Sequence, residues 1–181
     1  MSEYYLDIET YSSGKEPDPE TDEIITIQYQ RLRTETGEKN GPLIILKSWE
    51  SSEKEILSKF LEVFKPDDSF DMFPIGTNLD FEFQFIIERA KKVLGISIDS
   101  KRLYMKKAKI DIKSILIMLN GGYLKGAKLS TFSSKIHDGN KIKEWYENKD
   151  YGSIENYILN ETDAFIELYI KLKKNIKKLL E

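Results

Sequence analysis

Hydrophobic and polar side chains alternate along the first 50 residues with the two-residue period of β-strands. The alternating runs are YYLDIET (4–10), IITIQYQRL (24–32) and LIILKSW (43–49), and polar segments rich in turn-forming residues separate them. The pattern predicts a first strand, a loop over residues 11–23, and a β-hairpin over residues 24–49 that pairs beside the first strand.

The spacing of apolar residues then changes to the period of helices. Ser52 and Glu55 form a capping box ahead of the first helix, and Ser153 is predicted to cap the last. The predicted elements are a helix over 53–64, a strand in 71–78, a helix over 81–94, a strand running into a helix over 107–119, ended by Gly121 and Gly122, a helix over 129–136, and a long C-terminal helix. This order predicts one α/β domain spanning residues 1–181, whose mixed sheet has antiparallel first strands, parallel later strands and flanking helices.

Two carboxylates interrupt the apolar character of the first strand. Asp7 and Glu9 point to one face of that strand, whereas Leu6 and Ile8 point to the other. Neighbouring like charges cost free energy unless a cation or many hydrogen bonds compensate. The predicted order places this strand at the centre of the sheet, which favours a metal site over exposure at a sheet edge as the explanation for the pair.

Composition narrows the kind of metal and of partner. The 181 residues include no cysteine, so a hard cation held by oxygen ligands is the remaining metal option. A formal net charge of −3 provides no general basic field for nucleic acid, so any phosphate binding must be local. No apolar run approaches membrane-spanning length, and no signal peptide precedes the first strand, which predicts a cytoplasmic protein without membrane contact.

Two later segments offer further carboxylates. GTNLDFEFQFI (76–86) passes from a strand into a helix and contains Asp80 and Glu82, both of which also suit a helix N-terminus. In YILNETDAFIELY (157–169), Glu161 shares a helical stripe with Tyr157 and apolar residues, whereas Asp163 lies nearly opposite. Glu161 is therefore predicted to face inward, with a solvent-reaching boundary residue as the alternative.

Together, DIET (7–10) and these two segments resemble the three exonuclease motifs of the DEDD, or DnaQ-like, 3′–5′ exonucleases, which have a ribonuclease H-like fold. Tyr157, where other members have His, resembles the DEDDy branch, which includes the exonuclease domains of family B DNA polymerases. The segment KIDIKSIL, with Asp111, is similar to the stretch that joins the second and third motifs. The resemblance covers essentially the whole chain.

The resemblance implies a metal-dependent 3′–5′ exonuclease with catalytic residues Asp7, Glu9, Glu82, Tyr157 and Glu161. The four carboxylates would hold two Mg²⁺ or Mn²⁺ ions, with Asp7 bridging them, Glu9 and Glu161 at the water-activating ion, and Glu82 at the second. Tyr157 would orient the attacking water. The implied substrate is single-stranded DNA or RNA with a free 3′ end, and the protein would act alone or serve a polymerase or repair partner.

The chain departs from the family pattern at two positions, where Glu82 and Glu161 replace Asp. Each adds one methylene, or roughly 1.5 Å of reach. Two alternatives therefore stay open: a weakened or inactive module of the same fold that binds nucleic acid or a protein, and a ribonuclease H-type endonuclease. Surface lysines at 106, 107 and 109 are candidates for phosphate contacts or for contact with water alone, and the single histidine, His137, is interpreted as a loop residue.

Overall fold

The computed structural model describes residues 2–14, 16–68, 71–133 and 139–178. Within these ranges one mixed sheet has the strand order β3-β2-β1-β4-β5. Its strands are β1 (Ser2–Tyr11), β2 (Glu23–Leu32), β3 (Lys39–Lys47), β4 (Met72–Gly76) and β5 (Ile110–Asp111). The β1–β2 and β2–β3 pairs are antiparallel, and the β1–β4 and β4–β5 pairs are parallel. The predicted α/β architecture is confirmed, and β1 is the central strand.

Helices connect and cover the strands. They are α1 (Glu53–Phe64), α2 (Leu79–Arg89), α3 (Ser100–Lys106), α4 (Lys113–Leu119), α5 (Leu129–Phe132), α6 (Ile142–Glu147) and α7 (Tyr151–Lys178). A π-helical turn (Ala90–Leu94) extends α2, and 3₁₀ turns occupy Ser48–Glu50 and Gly139–Lys141. None of the helices in the described ranges has the length and apolar character that crossing a bilayer requires.

Most predicted helices are present, but two of their starts were wrong. Helix α2 begins two residues before the predicted Phe81, and α7 begins at Tyr151. The carboxylate of Asp150 accepts hydrogen bonds from both the backbone N–H and the hydroxyl of Ser153, so Asp150 caps α7 and Ser153 lies in its first turn. Helices α3 and α6 were not predicted, and residues 134–136 of the predicted short helix lie outside the described residues.

Two layers of side chains enclose the sheet. Leu6 and Ile8 of β1 pack with apolar residues of α1 and α2 on one face. On the other face, Tyr5 packs with residues of α4, α5 and α7, and its ring centroid lies 4.8 Å from that of Phe165. The alternation of β1 therefore places Tyr5, Asp7 and Glu9 beneath α7.

Candidate metal centre and active site

Strand β1 and helix α7 bring three carboxylates together. One oxygen from each of Asp7, Glu9 and Glu161 lies within 4.8 Å of the other two. The first two share a face of β1 because they are two residues apart, and Glu161 reaches them from the apolar stripe of α7. The inward orientation predicted for Glu161 is what the structure shows, and the three oxygens are close enough to bind one divalent cation.

A β-bulge follows Glu9. Glu9 pairs with Thr26, but Thr10 pairs with Ile24, so Ile25 is an additional residue on β2. A bulge bends its strand and increases the local twist, and such irregularities are common beside active sites. Here the bulge marks the end of the regular β1–β2 ladder immediately after the second carboxylate.

The start of α2 is fixed from a distant part of the chain. Asn78 has a left-handed conformation (φ 71°) and gives the helix no side-chain cap. Instead, the carboxylate of Asp111, at the end of β5, accepts hydrogen bonds from the backbone N–H groups of Asn78 and Leu79, each at 2.8 Å. At Gly76 a Cβ atom would lie 2.6 Å from the carbonyl oxygen of Leu6, so only glycine permits this approach of β4 to β1. These contacts place the first turn of α2, which contains Glu82, beside β1.

Glu82 is buried next to Asp7 and is 3% exposed. Burial, followed by the charge of Asp7 and a hydrogen bond between the two carboxyl groups, raises the pKa of Glu82 well above its ordinary value. Its Oε2 atom is buried and has no hydrogen-bond partner among the described residues. A buried carboxylate oxygen without a partner, lying beside other carboxylates, is suited to coordinating a hard divalent cation.

Tyr157 lies one helical turn before Glu161 and is buried. Burial, together with the charges of Glu9 and Glu161 and a hydrogen bond to Glu161, raises the pKa of the Tyr157 hydroxyl far above its ordinary value. The phenol therefore stays protonated and can orient a hydrogen-bonding partner, but it cannot act as a base. A Cβ atom at Gly139 would lie 3.0 Å from this hydroxyl, so the 3₁₀ turn packs closely against it.

The two alternative carboxylates point elsewhere. The side chain of Asp80 is 69% exposed and forms an ion pair with Lys109. It is not the N-cap of α2, because that position is held by Asn78. Asp163, on the outer side of α7, is 66% exposed and lies 2.6 Å from the Nζ atom of Lys39. Glu82 and Glu161 are therefore the acidic residues that these two segments contribute to the carboxylate cluster.

A cleft of about 360 Å³ opens over the cluster. Asp7 and Glu161 line it together with residues that the sequence did not single out: Tyr5, Thr77, Lys113, Lys128, Ser130, Gly139 and Asn140. Of these, only Tyr5 could have been found from the sequence, because strand alternation places it on the same β1 face as Asp7. The others come from separate elements that the tertiary fold brings together.

The lysines proposed from the sequence for phosphate contacts do not line this cleft. Lys107 is buried, and its Nζ atom donates to the backbone carbonyls of Phe64, Lys65 and Asp68 near the end of α1. Burial lowers the pKa of Lys107 to about 8. Lys109 pairs with Asp80, and Lys106 lines a different depression. His137 lies outside the described residues.

The same arrangement of sheet and helices occurs in solved structures of a DNA polymerase and of exonucleases. The family B DNA polymerase of Pyrobaculum calidifontis matches with a TM-score of 0.67 at 18% identity, over 94% of this chain and 24% of the polymerase. A 3′-exonuclease that recognises the 3′ end of the histone mRNA stem-loop matches with a TM-score of 0.63 at 11% identity, over 96% of this chain and 64% of that one. The chain has a ribonuclease H-like fold. The resemblance to DnaQ-like exonucleases is thus confirmed at the level of the fold.

Two further matches are to another exonuclease structure and to the sequence of another DNA polymerase. Exonuclease I of E. coli, in complex with a dT13 oligonucleotide, matches with a TM-score of 0.53 at 9% identity, over 72% of this chain and 34% of the exonuclease. DNA polymerase 2 of Aeropyrum pernix is 33% identical over 94 residues, which are 51% of this chain and 10% of the polymerase. The matched region is thus a small part of both polymerases. No protein-family model matches the chain.

Proposed function

We propose that this protein is a metal-dependent 3′–5′ exonuclease of the DEDDy type, acting on single-stranded DNA or RNA. The observation that carries the proposal is the convergence of Asp7, Glu9 and Glu161, which offer oxygen atoms within 4.8 Å of one another. The fold supports it, because structures with this fold include a 3′-exonuclease and Exonuclease I. Action as a single domain, in the cytoplasm, stays a prediction.

The carboxylates divide into two overlapping groups. Asp7, Glu9 and Glu161 would hold one Mg²⁺ or Mn²⁺ ion, and Asp7 with the buried Glu82 would hold a second. When bound, such ions lower the pKa of a water molecule and neutralise the charge that develops on a phosphodiester during its hydrolysis. The longer Glu side chains at positions 82 and 161 still reach Asp7, which supports an active enzyme over a weakened module.

Other residues of the cleft would position the substrate. Tyr157 stays protonated, so its hydroxyl would orient the attacking water by hydrogen bonding while Glu161 orients the phenol. Lys113 lines the cleft on the side of α4 and would contribute a positive charge toward a phosphate group. Thr77 also lines the cleft, where it would contact the phosphate backbone of the nucleic acid.

The direct test incubates the protein with 5′-labelled single-stranded DNA and RNA in Mg²⁺, Mn²⁺ or EDTA. We expect a ladder that shortens from the 3′ end, requires the metal and disappears in Asp7→Asn. A 3′-blocked oligonucleotide and a circular single strand accompany the linear substrate, because only an endonuclease would cut the circle. Asp163→Asn is the matched control, since this carboxylate lies on the same helix as Glu161 but faces Lys39.

The outcomes separate the alternatives. Cleavage of the circle would replace the exonuclease with a ribonuclease H-type endonuclease. Intact substrates in every metal, from folded protein that still binds them, would establish the inactive nucleic-acid-binding module. Asp163→Asn is expected to keep full activity, and loss of activity in that variant would show that the assay reports folding rather than the cluster.

A further inference from the structure

Gln28 lies directly across the β1–β2 ladder from Asp7 and is fully buried. Its Nε2 atom donates a hydrogen bond to Oδ2 of Asp7 at 2.9 Å. A buried amide in the centre of a sheet is costly unless its polar atoms are satisfied, and an apolar residue is the ordinary occupant of such a position. Gln28 therefore requires an explanation beyond the stability of the sheet.

Asp7 determines which way the Gln28 amide points, and Thr26 supports that orientation. The Oγ1 atom of Thr26 donates to Oε1 of Gln28 at 2.9 Å, and both side chains are buried. An ionised carboxylate can only accept hydrogen bonds, so the amide nitrogen must face Asp7 and the amide oxygen must face the hydroxyl. The result is a directional chain of donors that runs from Thr26 through Gln28 to Asp7.

A second donor reaches the same carboxylate oxygen. The hydroxyl of Tyr5 donates to Oδ2 of Asp7 at 3.2 Å. A tyrosine hydroxyl is protonated at neutral pH, so Tyr5 is a hydrogen-bond donor to this oxygen. Two hydrogen bonds, from Tyr5 and Gln28, thus end on Oδ2 and fix the orientation of the Asp7 carboxylate.

We propose that Gln28, held by Thr26, is a positioning residue that aims Asp7 at the metal ions. The inference rests on the proposed function, because it assigns the buried amide to the metal centre. Groups that orient a metal ligand typically change metal affinity or activity by about 10- to 100-fold when they are removed. Gln28 contacts neither substrate nor metal in this scheme and acts only through Asp7.

The test compares Gln28→Met with Gln30→Met. Methionine keeps the length of the side chain and removes the amide. Gln30 is a buried amide two residues along the same strand, but its Nε2 atom donates to the carbonyl of Gly41 at 2.8 Å rather than to a carboxylate. The primary measurement is Mn²⁺ binding to each protein without nucleic acid, by calorimetry or by electron paramagnetic resonance. Steady-state kinetics and urea unfolding follow.

We expect Gln28→Met to weaken Mn²⁺ binding and lower kcat by about 10-fold each, with KM within twofold of wild type. Gln30→Met should keep both values while losing a similar amount of stability. Thr26→Val should reproduce part of the Mn²⁺ defect, and Thr26→Ser, which keeps the hydroxyl, should restore it. This rescue would show that the defect comes from losing the hydrogen bond that orients Gln28 and not from altered packing.

Mn²⁺ affinity and kcat in Gln28→Met within twofold of Gln30→Met would overturn the positioning role while leaving the exonuclease intact. A wild-type protein that neither binds Mn²⁺ nor digests any substrate would overturn both proposals together.

Discussion

Two glutamates in this protein are equally buried, at 3% exposure, yet their surroundings are opposite. Glu3, on the same β1 face as Asp7, accepts hydrogen bonds from Nζ of Lys173 at 2.7 Å and from the hydroxyl of Tyr169 at 3.1 Å. Glu82 has the carboxyl groups of Asp7, Glu9 and Asp111 as its principal electrostatic neighbours. The first carboxylate is neutralised by the chain itself, and the second is surrounded by charges of its own sign.

The difference separates a charge that the fold itself compensates from one that the proposed function would use. Around Glu3, the cation that compensates the buried charge comes from α7, so the pair fastens that helix to β1. Around Glu82, the structure raises the pKa and leaves Oε2 without a described partner, which is unfavourable unless a cation arrives from solution. A buried carboxylate therefore indicates a functional site only when no residue of the fold neutralises its charge.

The largest effect is expected from breaking the Glu3 pair. Lys173→Met removes the cation and leaves a buried charge, which should lower the free energy of unfolding by about 3 kcal/mol. Urea unfolding in EDTA measures the loss. Lys171→Met is the control, because Lys171 pairs with Glu167 on the exposed side of α7 and should cost less than about 0.5 kcal/mol. Equal losses in the two variants would contradict the structural role of Glu3.

Glu82→Gln should have the converse effect, harming activity rather than folding. The amide removes the charge that we propose holds a second metal ion, so kcat should fall by at least about 100-fold, the scale on which misplaced catalytic groups act. The same variant should be at least as stable as wild type in EDTA, because it no longer places an ionisable group among carboxylates. A variant that unfolds readily would assign Glu82 a structural role.

The pH dependence of stability sharpens the contrast. The pKa of Glu82 is raised in the folded state, so the unfolded chain releases this proton first, near the ordinary glutamate value of 4.5. Wild-type stability in EDTA should therefore fall, relative to Glu82→Gln, as pH rises above 4.5 toward the folded-state pKa, and the two should converge below 4.5. Thermal unfolding at several pH values measures the gap, with roughly 2–4 °C expected per kcal/mol. A constant gap would contradict the linkage.

Lys113→Ala is expected to give the smallest of these effects. Losing one charged contact to phosphate should raise KM by about 10-fold and leave kcat nearly unchanged. The dependence of KM on salt concentration should also weaken. Lys106→Ala is the comparison, since Lys106 lies away from the cleft, and an equal change in both variants would remove Lys113 from the substrate path.

Local signals predicted much of this molecule. The strand periods, the capping box at Ser52 and the glycines at 121 and 122 depend on neighbouring residues, and the structure reproduces those elements. The starts of α2 and α7 were wrong because their caps come from other side chains, Asp111 and Asp150.

The candidate site shows the same distinction between local and long-range determinants. The shared face of Asp7 and Glu9 followed from alternation within one strand, and the inward orientation of Glu161 followed from the stripe of one helix. The roles that we propose for Gln28 and Lys113 could not be predicted, since they depend on strand register and on which elements meet at the cleft. The resemblance selected Glu82 over the neighbouring Asp80, and in the structure Glu82 is buried whereas Asp80 is exposed and paired with Lys109.

Asp111 also has a consequence for how this chain can change over evolution. Its carboxylate accepts the backbone N–H of Lys113 at 2.8 Å as well as those of Asn78 and Leu79, so one residue sets the origin of both α2 and α4. The loop over residues 95–99 lies between these two helices along the chain and is largely exposed. Insertions there should leave Glu82 and Lys113 in register, because both helices take their starting point from Asp111 rather than from the length of the connection. We therefore expect homologous proteins to vary in length within this loop while Asp111 is retained.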